Sequence, residues 1–398
     1  MTTRDFKTQT HFMKADNPTV DGYWPIALDI GYSSVKGFSR NGIYSFPSFI
    51  RKVNEGFSFD GATDRTSIAY RDEVNGVYDV GNVAIMKTND KEPYGNDDTL
   101  YSRTRYSQAL FLILARVGMA IGLSANKHAT HTDEKVVLQT GLPIEYLKAD
   151  SDELAEALSG THKFDIKFAN CNEWTHYEIN LDKKDIHIMP QPLGSYWSCV
   201  FDNAGKVLKG TKDFLSTTAI VFDGGFGTLD TFVTKQGAIL GSHTYPEYGM
   251  REVFKRTVDK IADTYGEYIP VPYLHKYLEY GTFSTLIPNE GFTKPDIFNP
   301  KSYTKEDISF DDIMSNSCEE VFREAIKKVF DSVPDIKEIR WLIVTGGTGT
   351  AWYDYIVEMV APLGIEVINA NRNNPNIPSI FNNVRGYYMQ LLAYLNQR

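Results

Sequence analysis

The sequence predicts an α/β protein of two lobes, each a mixed sheet flanked by helices and carrying a smaller inserted subdomain. Three observations lead there. Strand-like, turn-like and helix-like segments alternate from Tyr23 to the C-terminus, the pattern of helices layered on sheets. The 398 residues exceed the ~250–300 at which a single core stops growing. One strand–turn–strand pattern also occurs twice: a shift of 194 positions carries Asp29, Gly31, Tyr32, Ser33, Ser34, Val35 and Phe38 onto Asp223, Gly225, Phe226, Gly227, Thr228, Leu229 and Phe232. A buried strand, an Asp, a tight turn and a second strand with an aromatic, found twice, imply two related lobes that each present one turn to a shared cleft.

In chain order, residues 1–22 lack the apolar run of a signal peptide and are expected to be a flexible tail. The first lobe spans 23–198. "WPIALDIG" is a strand ending at Asp29, and "SVKGFSRNGIYSFPSFI" follows as a hairpin with Asn41-Gly42 as its turn signal. Short strand-like pieces among polar turns place a small subdomain at about 40–100. "SRTRYSQALFLILARVGMAIGL" reads as a long helix over 102–123, "EKVVLQTGLP" as a buried strand, and "DSDELAEALSG" as a helix that Gly160 stops. Residues 162–192 alternate as two or three strands. The second lobe spans 199–380: a strand "AIVFDGG", a hairpin "LDTFVTKQGAILGSHT" and a helix "MREVFKRTVDKIADTYG". A turn-rich stretch at about 267–310 forms its small subdomain. A helix (312–333), the strand "IRWLIVTGG", a helix and the strand "IEVINA" follow. Residues 381–398 are a closing helix that packs back on the first lobe.

Composition removes several function classes. The formal net charge of −10 and pI near 5.4, without a dense Lys/Arg block, argue against direct contact with nucleic acid; any role at DNA needs an adaptor. No stretch approaches the roughly 18 uninterrupted apolar residues of a membrane span, and the nearest, "ALFLILARVGMAIGL", carries Arg116, so no membrane contact is expected. Cys171, Cys199 and Cys318 lie far apart without a CxxC, which points to a reducing cytoplasm and excludes a disulfide frame or thiolate metal site. His128 and His131 have no marked carboxylate or thiolate partner and do not make a metal site.

The two repeated turns carry the chemistry. Phosphate binding needs backbone N–H groups facing a concavity and residues small enough for close approach. "GYSS" (Gly31, Tyr32, Ser33, Ser34) and "GGFGT" (Gly224, Gly225, Phe226, Gly227, Thr228) both offer this, with hydroxyls on Ser33, Ser34 and Thr228. Lys36 adds a compact positive charge. Asp29 and Asp223 would repel phosphate directly and make sense with Mg²⁺ and its waters between them and the ligand. Either turn alone also fits a plain hairpin. A third element, "WLIVTGGTGTAW", sets Gly346, Gly347, Thr348 and Gly349 between a strand and a helix, where a nucleoside can lie flat.

In this order and spacing the three segments resemble the actin/Hsp70/sugar-kinase ATPase superfamily. "LDIGYSSVKG" is similar to its first phosphate motif, "VFDGGFGTLD" to its second and "IVTGGTGTAW" to its adenosine motif. "QTGLPIEY" and "IMPQPLGSYWS" resemble the bacterial actin-like plasmid-segregation ATPases of the ParM type, and the resemblance runs from residue 24 to 398.

The resemblance implies a two-lobed actin-like ATPase fold that binds ATP (or GTP) with Mg²⁺ and hydrolyses it. It further implies self-association into filaments in the cytoplasm and movement of plasmid DNA through a DNA-binding adaptor at a plasmid centromere. Gln191 falls where the family orients the attacking water. Many members carry Glu there, and a Gln positions water rather than abstracting its proton. Arg251 and Lys255 are candidates for ribose or base contacts. Two other functions share these motifs: a small-molecule kinase, which needs a general base beside an acceptor hydroxyl, and a scaffold that turns over no phosphate.

Overall fold

The computed structural model describes residues 2–53, 67–88, 104–123, 133–168, 171, 173–209, 211–333 and 335–397. His128, His131 and parts of the segment expected as the first small subdomain, at 54–66 and 89–100, lie outside the described residues.

The first lobe is built on a six-stranded sheet in the order β1 (His11–Lys14), β4 (Gly42–Pro47), β3 (Ser34–Ser39), β2 (Tyr23–Ile30), β8 (Lys135–Leu142) and β11 (Ile186–Pro190). The second rests on a five-stranded sheet in the order β14 (Ala238–Tyr245), β13 (Leu229–Lys235), β12 (Thr218–Gly224), β17 (Ile339–Thr345) and β18 (Glu366–Asn369). In both, an antiparallel three-strand meander continues into two parallel strands. Register follows the repeat: Asp29 pairs with Lys36 on β3, and Asp223 pairs with Asp230 on β13, the positions that the same shift of 194 superposes. The central strands are buried throughout, which explains their near-continuous apolar runs.

β1 has no counterpart in the second lobe. Residues 2–14, expected as a flexible tail, instead pack on both lobes. Phe6 joins the second lobe's core, and β1 adds to the first lobe's sheet edge through pairs such as His11 with Ser45. The apolar Phe6 and the alternating "HFMK" supply the side chains for this, in a stretch too short to show a periodic pattern.

The small sheet of the first lobe orders as β10 (Thr175–Leu181), β9 (Gly160–Phe168), β6 (Ile68–Asp72), β7 (Gly76–Val80) and β5 (Ile50–Lys52). The subdomain is therefore discontinuous: its described strands come from 50–80 and from 160–181, while residues 42–47 of the expected 40–100 belong to the large sheet as β4. Its joining pairs, such as Ile68 with Phe168, span about a hundred residues of sequence and leave no local trace. In the second lobe, β15 (Thr282–Pro288) and β16 (Tyr303–Ser309) form a separate hairpin within 267–310. The helix expected over 102–123 is α-helical from Ala109 to Leu123 and is preceded by a 3-10 turn at Arg105–Ser107.

Two helices make the joint between lobes. Gln191–Val200 follows β11, and the C-terminal Asn382–Leu395 packs on β2, β3 and β8 through Val384, Tyr387, Tyr388 and Leu391. The pair crosses so closely that a Cβ on Gly386 would lie 1.7 Å from the Gly194 carbonyl oxygen, so neither backbone could recede for a side chain. The lobes also meet where Phe49 packs edge-on against His275, at 5.5 Å between ring centres. No described helix is long and apolar enough to cross a membrane.

Candidate functional site

β2 and β12 run to the same place. Each ends in a buried carboxylate, Asp29 and Asp223, and each is followed by a turn closed by the same hydrogen bond. The Gly31 N–H donates to the Ser34 carbonyl at 3.1 Å, and the Gly225 N–H donates to the Thr228 carbonyl at 2.8 Å. The repeat seen in the sequence is thus a repeat of hydrogen bonding. The turns touch across the lobes: a Cβ on Gly227 would lie 2.2 Å from the Tyr32 ring, so Tyr32 rests on bare backbone.

Between the turns lies a cleft of about 800 Å³. It is lined by Asp29, Gly31, Tyr32, Ser33, Ser34, Lys36 and Gln191 from the first lobe. From the second come Asp223, Gly225, Phe226, Gly227, Thr228, Gly346, Gly347 and Thr348. Thr348 ties the third element to the second turn by donating its hydroxyl to the Gly225 carbonyl at 2.6 Å. Gly224 and Gly349 are not among the lining residues. They face each other behind the turn, where a Cβ on Gly224 would meet the Gly349 nitrogen at 2.5 Å, so their smallness serves strand-to-helix packing. Arg251 donates its backbone N–H to the Phe226 carbonyl at 2.8 Å; neither it nor Lys255 lines the cleft.

The carboxylates are not equivalent. Asp29 accepts from Lys36 Nζ at 3.1 Å on one oxygen and from Gln191 Nε2 at 3.2 Å on the other. Asp223 accepts from Asn383 Nδ2 at 2.7 Å on Oδ2. Burial, with the nearby Asp29 adding to it, pushes Asp223 up to about 6 against the Asn383 hydrogen bond and the Lys36 charge. Asp230, its partner across β12 and β13, is also buried and pushed up to about 7, while Thr244 and Thr228 donate to its two oxygens at 2.5 and 2.8 Å.

Asp29, Asp223 and Asp230 gather at one end of the cleft with Lys36 as the cation paired to them, a concentration of carboxylates that suits a further cation. Among the described residues no three His, Cys, Asp or Glu side chains cluster as a metal site. Both Asp29 oxygens and one of Asp223 are already engaged. The donor set therefore fits a cation held through waters and a ligand's phosphates, and does not provide a direct protein cage.

Several residues of the site carry no sequence signal. Ser195, on the interlobe helix, donates to Asn383 Oδ1 at 2.5 Å and lies 2.7 Å from Thr345 Oγ1, so Thr345, Ser195, Asn383 and Asp223 form one buried relay across the joint. The Tyr387 hydroxyl is buried behind the cleft and has no hydrogen-bond partner among the described residues. Burial, with Asp29, Asp223 and Asp230 adding to it, holds its proton on far above the usual phenol range. Arg105 is buried yet lines the cleft beside the first turn, its guanidinium 4.7 Å from the Tyr32 ring centre. The sequence shows each as one more helix or turn residue; only the tertiary fold brings Arg105, Thr345 and Asn383 to the cleft and sets Ser195 and Tyr387 behind it.

Comparison with known proteins agrees with this geometry. Residues 27–194 match the family described as the N-terminal domain of actin-like proteins. The apo pSK41 ParM protein superposes with a TM-score of 0.62 at 21% identity, over 95% of this chain and 100% of that one. A 15-stranded ParM filament from Clostridium botulinum gives 0.67 at 20% identity, over 94% and 99%. An archaeal actin homolog in complex with ADP gives 0.61 at 14% identity, over 93% and 99%. No curated protein sequence matches the chain. The fold is the two-lobed actin-like one, and the chain is similar to ParM and related actin-like proteins.

Proposed function

We propose that this chain is an actin-like nucleotide hydrolase that assembles into filaments with bound ATP, or GTP, and moves plasmid DNA in the cytoplasm through a DNA-binding adaptor. The observation that carries the reading is the meeting of two identically closed turns, each backed by a buried carboxylate, in one cleft sized for a nucleotide. Ligand sites of this kind occupy ~300–1,000 Å³. The filament-forming relative shares the fold at low identity, which supports assembly as the use of the hydrolysis.

In this reading the N–H groups of Gly31–Ser34 and Gly225–Thr228 hold the phosphates from both lobes, with Lys36 opposite the developing charge. Mg²⁺ bound with the nucleotide supplies charge neutralisation at the phosphates, and Asp29 and Asp223 are the residues that would hold its waters. Gln191 stands at the first position of the interlobe helix with its N–H group spent on Asp29. Its amide oxygen is left to accept from a water and orient it. An amide takes no proton at neutral pH, so Gln191 positions the nucleophile and does not act as base. Closing the cleft between subunits would complete the dry environment these charges need.

Right-angle light scattering with electron microscopy, after adding ATP and Mg²⁺, tests the proposal. Filaments that form and then decay as phosphate appears support it. Turnover that requires a sugar or acid acceptor, with no polymer, would instead make the chain a kinase; polymer without phosphate would make it a scaffold.

A further inference from the structure

Residues 2–14 cross from one lobe to the other at the rim of the cleft, and both ends are anchored. On the second lobe, the 3-10 turn Thr3–Phe6 docks by two hydrogen bonds from Thr3: its N–H to Asp311 Oδ1 and its hydroxyl to the Leu278 carbonyl, both at 2.9 Å. Lys7 Nζ lies 2.6 Å from Glu279 Oε2, and Phe6 is buried in the cluster that holds Met250, Phe254 and Leu274. On the first lobe, Ser45 Oγ donates to the Gln9 carbonyl at 3.0 Å, Asn82 Nδ2 donates to Thr10 Oγ1 at 3.0 Å, and β1 pairs along β4.

Only Lys7 and Thr8 lie between Phe6, buried in the second lobe, and Gln9, bonded to the first. A residue spans at most ~3.6 Å, so the crossing has little slack. The lobes cannot draw apart without breaking one anchorage. The first-lobe end is a strand ladder with Met13 packed beneath it. The second-lobe end rests on the two hydrogen bonds of the buried Thr3, on a half-exposed Lys7–Glu279 pair worth little by itself, and on Phe6, its one buried apolar side chain. Phe6 is the latch.

The segment walls the cleft without filling it. Arg4, Phe6, Lys7, Gln9 and His11 line it, and about 800 Å³ stay open with the segment docked. It is also an addition to the repeat, because the second lobe's sheet closes without an equivalent of β1. We propose that residues 2–14 are a strap that forms one wall of the nucleotide cleft and gates release, the nucleotide leaving only after Phe6 undocks from the second lobe. The inference rests on the nucleotide reading of the cleft.

The test uses the full chain, Phe6→Ala, and a deletion of residues 2–10 that keeps β1, each first checked for an unchanged main melting transition. Stopped-flow chase of a bound fluorescent ATP analogue with excess ATP should show release faster by about tenfold in Phe6→Ala, and by at least as much in the deletion, with binding retained. Unchanged release in both variants overturns the gate. Tighter binding on deletion also overturns it, since the segment would then be a plug. Hydrogen exchange on the nucleotide-free chain separates the two readings. If the wild type binds no nucleotide, the cleft reading fails and the gate with it. The strap as a lobe tether then still requires faster exchange at the Gly31–Ser34 and Gly225–Thr228 turns in Phe6→Ala; unchanged exchange rules out the tether as well.

Discussion

Asn383 donates its amide N–H to Asp223 at 2.7 Å, from a helix that packs on the first lobe to a strand that belongs to the second. The hydrogen bond stabilises the charged form of a carboxylate that burial would otherwise keep protonated. A neutral donor to a charged group is worth ~1.5–3 kcal/mol, roughly one to two pKa units. Asn383→Ala should therefore move the acid limb of the hydrolysis pH profile upward from about 6 by about one unit or more, with the rate partly restored at higher pH. A uniform loss at every pH would make Asn383 merely structural.

Asp223→Ala should abolish hydrolysis while nucleotide binding persists, because the turn N–H groups remain and the charge that organises the cation is gone. Loss of charge stabilisation at a phosphoryl group commonly costs on the order of 10²–10³ in rate. Phosphate release at the wild-type rate from folded Asp223→Ala would contradict the assignment.

Gln191→Ala should slow phosphate release and leave assembly intact, since orienting water bears on the chemical step and the two turns on affinity. Filaments should then persist under light scattering. Disassembly at the wild-type rate would show that the Gln191–Asp29 hydrogen bond serves packing alone.

Buried acids and a buried histidine pull stability in opposite directions. Asp223 and Asp230 are raised from ~3.9 to about 6 and about 7, so their contribution is complete at low pH and is lost as pH rises through those values. His275, ringed by Phe49, Phe226 and Phe254, is lowered by burial to about 4; its contribution is complete above ~6.5 and is lost as pH falls toward 4. The Tm of Asp230→Asn relative to wild type should be higher at about pH 8 than at about pH 4.5, and that of His275→Phe should show the reverse. Differences that do not change with pH would contradict both.

The frame of the cleft is legible where local chemistry is strong. Asp29 and Asp223 at strand ends, the small-residue turns and the shift of 194 between them were enough to anticipate two facing lobes. What stayed hidden depends on distant contacts. Ile68 with Phe168, Asn383 with Asp223 and Thr3 with Asp311 join residues that no periodicity links. Gly224 and Gly349 show the converse: their motif suggests ligand contact, but strand and helix pack so closely there that the two glycines face each other. The N-terminal segment carries no signal of order because one phenylalanine and four alternating residues make no pattern, though they suffice to hold it on two surfaces.

The central claim is that the cleft hydrolyses nucleotide in step with assembly, and phosphate release measured against protein concentration tests it most directly. With ATP and Mg²⁺, release per subunit should rise above a critical concentration, at the same concentration where polymer begins to sediment. A rate per subunit that stays constant across the range, with nothing in the pellet, would contradict the account.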